Sequence, residues 1–453
     1  MNPKFSKIIR TLFILFFIWF ITKFFNIYYT IPIWGFLLFF GNYSNFEYLS
    51  VLICTELFVG IDNLLFGPIS IIQIFAVFIL LRSLKSPKSY KFSLFSNKLF
   101  LLLIIIFFYY LFSYFQYFNS ISFSSLNWLF ILFLTILTFD GKLNQLVFFS
   151  WIFILSSFLV ILYTFIIQMA YFPDFTAAKK YSVSNSNYLG FFSLVSIMLS
   201  VIIYEFSLNN FKKRLAYISL FFMAYIALTG SRLNILILII FLFIIFSKPI
   251  RFYWLSRKNI SKIFIVGFTS VFFLQTLSNT ILRNADNLSF FANLDFTDED
   301  SFRSASLGAF TSGRSMIYLD GIELIKKKPI FGNGFLSWTD KNNSYNTIVR
   351  SSDGTRISMH STLIQYWAET GIIGLFMYLL YLFLIIKNGK KLINSNNKFY
   401  YLTGVCVYYI PILLFFGGTL DNHSMSYGFI HFIAGISLVL TYKKKYEKHT
   451  ILY

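Results

Sequence analysis

Arg232, Arg314 and His360 are the side chains whose types and settings best suit chemistry. An Arg guanidinium is a planar fork that grips phosphate oxygens in pairs, which Lys cannot do. Arg232 follows Thr229-Gly230-Ser231 at the tip of a strongly apolar hairpin, where a charge must snorkel, pair or hold a ligand. Arg314 falls in the first turn of a helix read from Ser312 to Lys328, where the helix dipole disfavours a cation. It serves either a nearby acid or an anion such as a phosphate outside the helix, and the sequence leaves both open. Lys179 and Lys180, just ahead of Asn185-Ser186-Asn187, add two more cations. His360 opens the apolar stretch 360–386. As one helix this stretch is ~40 Å long against a hydrocarbon core of ~30 Å, so its first turns project into water. There an imidazole with an unperturbed pKa of ~6.5 is mostly neutral at pH 7 and can accept a proton, although a lone boundary His is more often structural. Glu369 lies nine residues on, ~13 Å along an unbroken helix and about 180° around it, which argues against a direct dyad with His360. It shares a face with Gln365 and Thr362, where it can organise a neighbour. Cys54 and Cys406 lie in apolar stretches and give neither a disulfide framework nor a Cys-type metal site. His423, His431 and His449 lack metal-ligand spacing.

The elements that position these residues belong in a bilayer. The 453 residues are 57% hydrophobic, 22% aromatic and only 12% charged, with 62 Phe and 30 Tyr, more than one globular core can hide. Apolar stretches near the ~20 residues needed for a crossing recur along the whole chain. They predict an all-α, polytopic integral membrane protein with about 12–14 transmembrane helices. The net charge of +20 is a topology signal rather than a nucleic-acid footprint. Most bases sit in short segments between spans: Lys4 to Arg10, Arg82 to Lys98, Lys142, Lys212 to Arg214, Lys248 to Lys262, Lys387 to Lys398 and Lys443 to Lys448. The acids in these segments are Asp140 and Glu447. Such segments stay cytoplasmic, which puts both termini inside and gives the excess charge a possible grip on anionic lipid heads. Residues 26–66 read as two thin spans or one re-entrant segment.

Three units follow: N-terminal transmembrane helices over 1–279, a large extracytoplasmic loop over 280–359 and C-terminal transmembrane helices over 360–453. The loop holds nine bases and nine acids and has the composition of a soluble protein. Loops this long carry function or structure of their own. Within it, the helix near 312–328 is amphipathic, with Met316, Ile317, Leu319, Leu324 and Ile325 on one side and Asp320, Glu323 and Lys327 on the other. It is expected to lie along the outer membrane surface until Pro329 and Gly332-Asn333-Gly334 stop it.

Four segments resemble the O-antigen ligase/polymerase family (Wzy type), in the family's order. They are Asn185-Ser186-Asn187-Tyr188-Leu189-Gly190; Thr229-Gly230-Ser231-Arg232; Gly313-Arg314 with the helix after it and Lys328-Pro329-Ile330-Phe331-Gly332-Asn333-Gly334; and His360 through Glu369-Thr370-Gly371-Ile372-Ile373-Gly374. Ser361 replaces the Asn that usually follows the His, and Lys179 stands at the cationic position of an Arg-x10-Gly spacing that ends at Gly190. The resemblance implies a GT-C-like helical fold and transfer of a glycan from an undecaprenyl-diphosphate carrier on the outer face, without metal or cofactor. It implies catalytic roles for His360, Arg314 and Arg232, and substrate contacts from Lys179, Lys180, Asn187 and Glu369. Trp338 and Tyr345 are candidates to stack on sugar faces. The expected partners are the undecaprenyl-diphosphate-linked oligosaccharide, the lipid bilayer of a bacterial plasma membrane and a chain-length regulator, but no nucleic acid.

Three readings compete: a polysaccharide polymerase for a capsule or O-antigen, a ligase of the same fold, and a flippase for the lipid-linked sugar. The motifs do not separate the first two. The absence of repeats and the external setting of the distinctive polar residues disfavour transport. The Phe-, Ile-, Asn- and Lys-rich composition suits a polymer-specific gene of an AT-rich genome and tips the reading toward polymerase.

Overall fold

The computed structural model describes residues 5–24, 33, 42–59, 65–66, 69–84, 93–115, 127–170, 186–206, 314–334, 337, 361–420 and 428–450. They are helical throughout, apart from short connections and one antiparallel pairing of Leu65–Phe66 with Ile69–Ser70. In chain order the helices are α1 Phe5–Phe24, α2 Asn45–Val59, α3 Ile71–Leu84, α4 Lys98–Phe115, α5 Asn127–Thr138, α6 Leu143–Ala170, α7 Ser186–Phe206, α8 Arg314–Lys327, α9 Thr362–Ile393, α10 Lys398–Leu420 and α11 Gly428–Thr450. Leu143–Thr164 within α6 and the whole of α9 are long and apolar enough to cross a membrane. The spans expected at 30–41 (save residue 33), 215–229, 231–247 and 263–279 lie outside the described residues.

The bundle is apolar on its outside as well as in its core. Large apolar side chains stay exposed at helical spacing: Ile74, Val77 and Leu81 on α3; Leu101, Ile105, Phe108 and Phe112 on α4; Ile372, Phe376, Leu379 and Phe383 on α9. Hydroxyls go inside. Thr11, Ser50, Thr55, Thr135 and Thr164 are buried and each donates to the carbonyl four residues back, which satisfies the hydroxyl without a partner helix. Small hydroxyl side chains let helices approach closely where apolar burial gives no drive between them.

Contacts between helix ends sort the bundle into two ends. Lys7 of α1 pairs with Glu47 of α2 at 2.8 Å, and Arg82 of α3 donates to the Tyr43 carbonyl at 3.2 Å. Phe46 meets Phe139 beyond α5 at 5.0 Å between ring centroids. A Cβ built on Gly141, in the α5–α6 turn, would lie 2.7 Å from Lys443 Cδ of α11. Lys444 donates to the Lys391 carbonyl of α9, and Phe206, closing α7, meets Phe399 of α10 at 6.4 Å. The starts of α1, α2, α6 and α10 and the ends of α3, α5, α7, α9 and α11 therefore share one basic end.

Candidate functional site

The opposite end is organised by a break in α9. Ser361 caps this helix, its Oγ accepting from the Ile364 N–H at 3.4 Å, and helical backbone runs to Thr370. Gly371 then takes φ 69°, ψ −177°, a region open essentially to glycine alone, before the helix resumes. The single straight helix expected over 360–386 is corrected accordingly, and the helix itself extends to Ile393. A break strips carbonyls before it and N–H groups after it of their helical partners, which is costly away from water.

The segment 329–334 replaces those partners. Pro329 O accepts from Ile372 N at 2.9 Å and Ile330 O from Ile373 N at 3.5 Å. Asn333 N and Gly334 N donate to Ala368 O and Glu369 O, each at 2.9 Å. The Asn333 amide also donates to Ala368 O and to Leu324 O of α8, both at 2.9 Å. Tyr109 of α4 supplies Thr370 O at 2.8 Å, and the Trp367 indole donates to Pro329 O at 3.1 Å. Two glycines let the backbones approach this closely. A Cβ on Gly332, itself at φ +77°, would lie 2.2 Å from Glu369 O, and one on Gly371 would lie 2.0 Å from Ile330 O. The Lys328–Gly334 and Glu369–Gly374 motifs are therefore one interlocked unit. Spacing alone showed only a stop signal in the first and a helical stretch in the second.

α8 docks on the upstream half of α9 through Leu324 and Ile325, which pack with Ala368, Ile364 and Trp367. The helix expected over 312–328 is present as Arg314–Lys327, but its sides need correction. Leu319, assigned to the apolar side with Leu324, is 57% exposed, and Ile322 beside it is exposed too. Gly321, Leu324 and Ile325 form the buried side among the described residues, because α9 selects a narrow strip while Leu319 and Ile322 face outward.

Glu369 is the expected site residue whose side chain the structure fully places. It is buried, 1% exposed, and its Oε1 accepts from Gln365 Nε2 at 3.1 Å, on the shared face read from the sequence. Tyr110 stacks on Tyr366 at 5.8 Å between centroids and donates to Gly374 O at 3.3 Å, tying α4 to both halves of α9. Arg314 opens α8, ten residues and ~15 Å of helix before Leu324, and Asn187 is the second residue of α7; the side chains of both lie outside the described residues. Lys179, Lys180, Arg232 and His360 lie outside them altogether. His360 nevertheless precedes Ser361, whose position the capped and clipped upstream half of α9 determines. The residues that sequence reasoning missed are Asn333 and Tyr109; the signal for Asn333 was the pair of glycines flanking it.

No curated protein matches the chain. Residues 216–379 match the family model described as O-antigen ligase, a stretch that contains Arg232, Arg314, His360, Glu369 and the whole interlocked unit. Members of that family are glycosyl-transferring enzymes of the bacterial inner membrane that act on lipid-linked oligosaccharides. Three of the four segments that carry the resemblance, Thr229 to Arg232, Gly313 to Gly334 and His360 to Gly374, fall within this match, and Asn185 to Gly190 lies before it; over residues 216–379 the chain is thus similar to the O-antigen ligase family.

Proposed function

We propose that the chain is a metal-independent polysaccharide polymerase for a capsule or O-antigen, of GT-C-like fold. It transfers a glycan from an undecaprenyl-diphosphate carrier to a lipid-linked repeat unit on the outer face of the membrane. The observation that carries this reading is the family match over 216–379, because it contains every residue assigned to bond making and breaking. The exposed apolar stripes of α3, α4 and α9 support a multi-pass chain. The unit at Gly371 lies 16 to 20 residues of α9, ~24 to 30 Å, from Lys387–Lys391, close to one hydrocarbon thickness, and this supports placing it at the outer boundary. In this topology residues 1–279 and 360–453 are transmembrane, 280–359 form the external loop, and both termini face the cytoplasm.

In the proposed reaction a sugar hydroxyl of the acceptor attacks the anomeric carbon of the donor glycan. His360 takes the hydroxyl proton, the new glycosidic bond forms, and the bond from that carbon to the diphosphate breaks. Arg232 and Arg314 receive the charge on the departing undecaprenyl diphosphate. Lys179, Lys180 and Asn187 contact the substrate, and Glu369 supports it from within the wall through Gln365.

The description printed for the matched family favours a second reading, a ligase that moves a finished chain to a different acceptor. Purified protein in nanodiscs with lipid-linked repeat unit alone separates the two. A ladder of lipid-linked multiples is the expected product; no ladder, with transfer only after a second acceptor is supplied, establishes the ligase instead.

A further inference from the structure

Three cations surround Tyr43 at the basic end. Lys7 Nζ lies 5.0 Å and Arg10 Cζ 5.3 Å from its ring centroid, both within cation–π range. Arg82 donates to the Tyr43 carbonyl at 3.2 Å and stands over the Tyr48 ring at 5.2 Å. Glu47 answers part of this charge, but its Oε2 is already engaged. It accepts from Lys7 at 2.8 Å and from the Ser44 N–H at 2.6 Å, while Ser44 Oγ accepts from the Glu47 N–H at 3.4 Å in a capping box. The starts of α1 and α2 and the ends of α3 and α5 meet here, so their partial charges, roughly +0.5 and −0.5, offset each other and the side chains set the local charge. Three bases against one acid leave a net positive charge around Tyr43. Arg10 and Arg82 are exposed, and a guanidinium over a ring keeps N–H groups at its edge for an anion.

The surroundings identify the kind of anion. Next to the cations, α1 exposes Phe13, Phe16 and Phe17, and α3 exposes Val77, Leu81 and Leu84. A free phosphate would use only the charged part of this surface, whereas an amphipathic anion would use both parts. We propose that Lys7, Arg10 and Arg82 form a binding site for the phosphodiester head of an anionic phospholipid, whose acyl chains lie on the exposed apolar faces of α1 and α3. The site rests on the membrane reading given above but is independent of the transfer chemistry.

The test uses the full chain in neutral detergent, away from any membrane surface potential. Native mass spectrometry reads bound lipid during titration with phosphatidylglycerol, phosphatidylcholine or inorganic phosphate. Phosphatidylglycerol binds in the expected result, and Arg10→Gln/Arg82→Gln weakens it by about tenfold or more, the loss anticipated for charge-assisted bonds. Lys390→Gln/Lys445→Gln, which removes the same charge from the same end outside the cluster, leaves binding near wild type. Equal weakening in both double variants, unchanged binding in the Arg variant, or equal binding of phosphatidylcholine overturns the site. Inorganic phosphate that displaces the lipid at equal concentration overturns the lipid assignment. A photoactivatable phosphatidylglycerol on the unmodified chain gives a readout independent of how the variants fold. Crosslinks within 5–24 and 71–84 support the site, and crosslinks confined to other segments refute it. Glycan transfer is not measured in either arm, so an inactive preparation that still binds lipid counts against the enzyme reading alone.

Discussion

His360 directly precedes Ser361 in the chain, and Ser361 caps a helix segment that α8, Tyr109 and the 329–334 segment hold in place. A base positioned this way is expected to contribute about 10²–10⁴-fold, so His360→Ala should lose turnover on that scale while expression and membrane insertion persist. His360→Gln keeps hydrogen bonding but takes no full proton; an inactive Gln variant in nanodiscs with purified lipid-linked repeat unit is the outcome expected of base catalysis. Normal turnover in well-folded His360→Ala removes the residue from the mechanism. Arg232→Lys and Arg314→Lys keep the charge but lose the forked geometry, and each is expected to lower turnover substantially on the same substrate. If both Lys variants polymerise normally, the diphosphate is held elsewhere. Glu369 shows how far such readings extend at this scale. Its face, and with it Gln365, followed from a three-to-four-residue spacing, but its burial did not, because burial depends on α8 and on the segment after it.

At the scale of elements, the clip between 329–334 and α9 is the feature that the sequence concealed. Apolar periodicity continues through Gly371, so the pattern reads as one helix; only a segment from elsewhere in the chain supplies the hydrogen bonds that make a break affordable. The apolar stretches 145–169 and 188–208 gave the extents of α6 and α7 within two residues, and 99–118 gave α4 within three, because a span of apolar residues between polar ends needs no tertiary information. The buried side of α8 was not, since in a membrane protein an exposed face can be apolar and the usual inside–outside contrast disappears. The clip makes two predictions. Asn333→Ala removes two side-chain donations from a buried residue and should cost about 1–3 kcal/mol, while Asn333→Asp should cost more because it turns a carboxylate toward the Leu324 and Ala368 carbonyls. Gly371→Ala should lower the unfolding midpoint at least as far, since its Cβ meets Ile330 O and its backbone must leave a glycine-only conformation. Thermal unfolding in detergent ranks the three; an Asn333→Asp variant as stable as wild type would show that these bonds do not hold the unit.

The molecule as a whole is polarised. The bases of α1, α3, the α5–α6 turn, α9 and α11 collect at one end, and the break in α9, the docking of α8 and the buried Glu369 lie at the other. The charge runs alone implied this sorting, because each run falls between two apolar stretches and alternate connections must share a side; the contacts between helix ends bring together those bases of the runs that fall among the described residues of α1, α3, α9 and α11. If the basic end is cytoplasmic, as loop-charge asymmetry requires, then positions 179, 232, 314 and 360 face the exterior and positions 88, 212 and 390 face the cytoplasm. Single-Cys labelling with an impermeant reagent measures this directly. It requires a background without native thiols, and the two present are buried, Cys54 at 0% and Cys406 at 4% exposure. Cys406 donates to the Met198 carbonyl across the α7–α10 contact at 3.6 Å, so Cys406→Ser keeps a donor there, while Cys54→Ala replaces a buried free thiol by a small apolar side chain. In intact cells a Cys at 314 should label and one at 212 should react only after permeabilisation. The reverse pattern would put the proposed diphosphate site on the side where the carrier's glycan is not displayed, and would sink the topology and the outer-face reaction together.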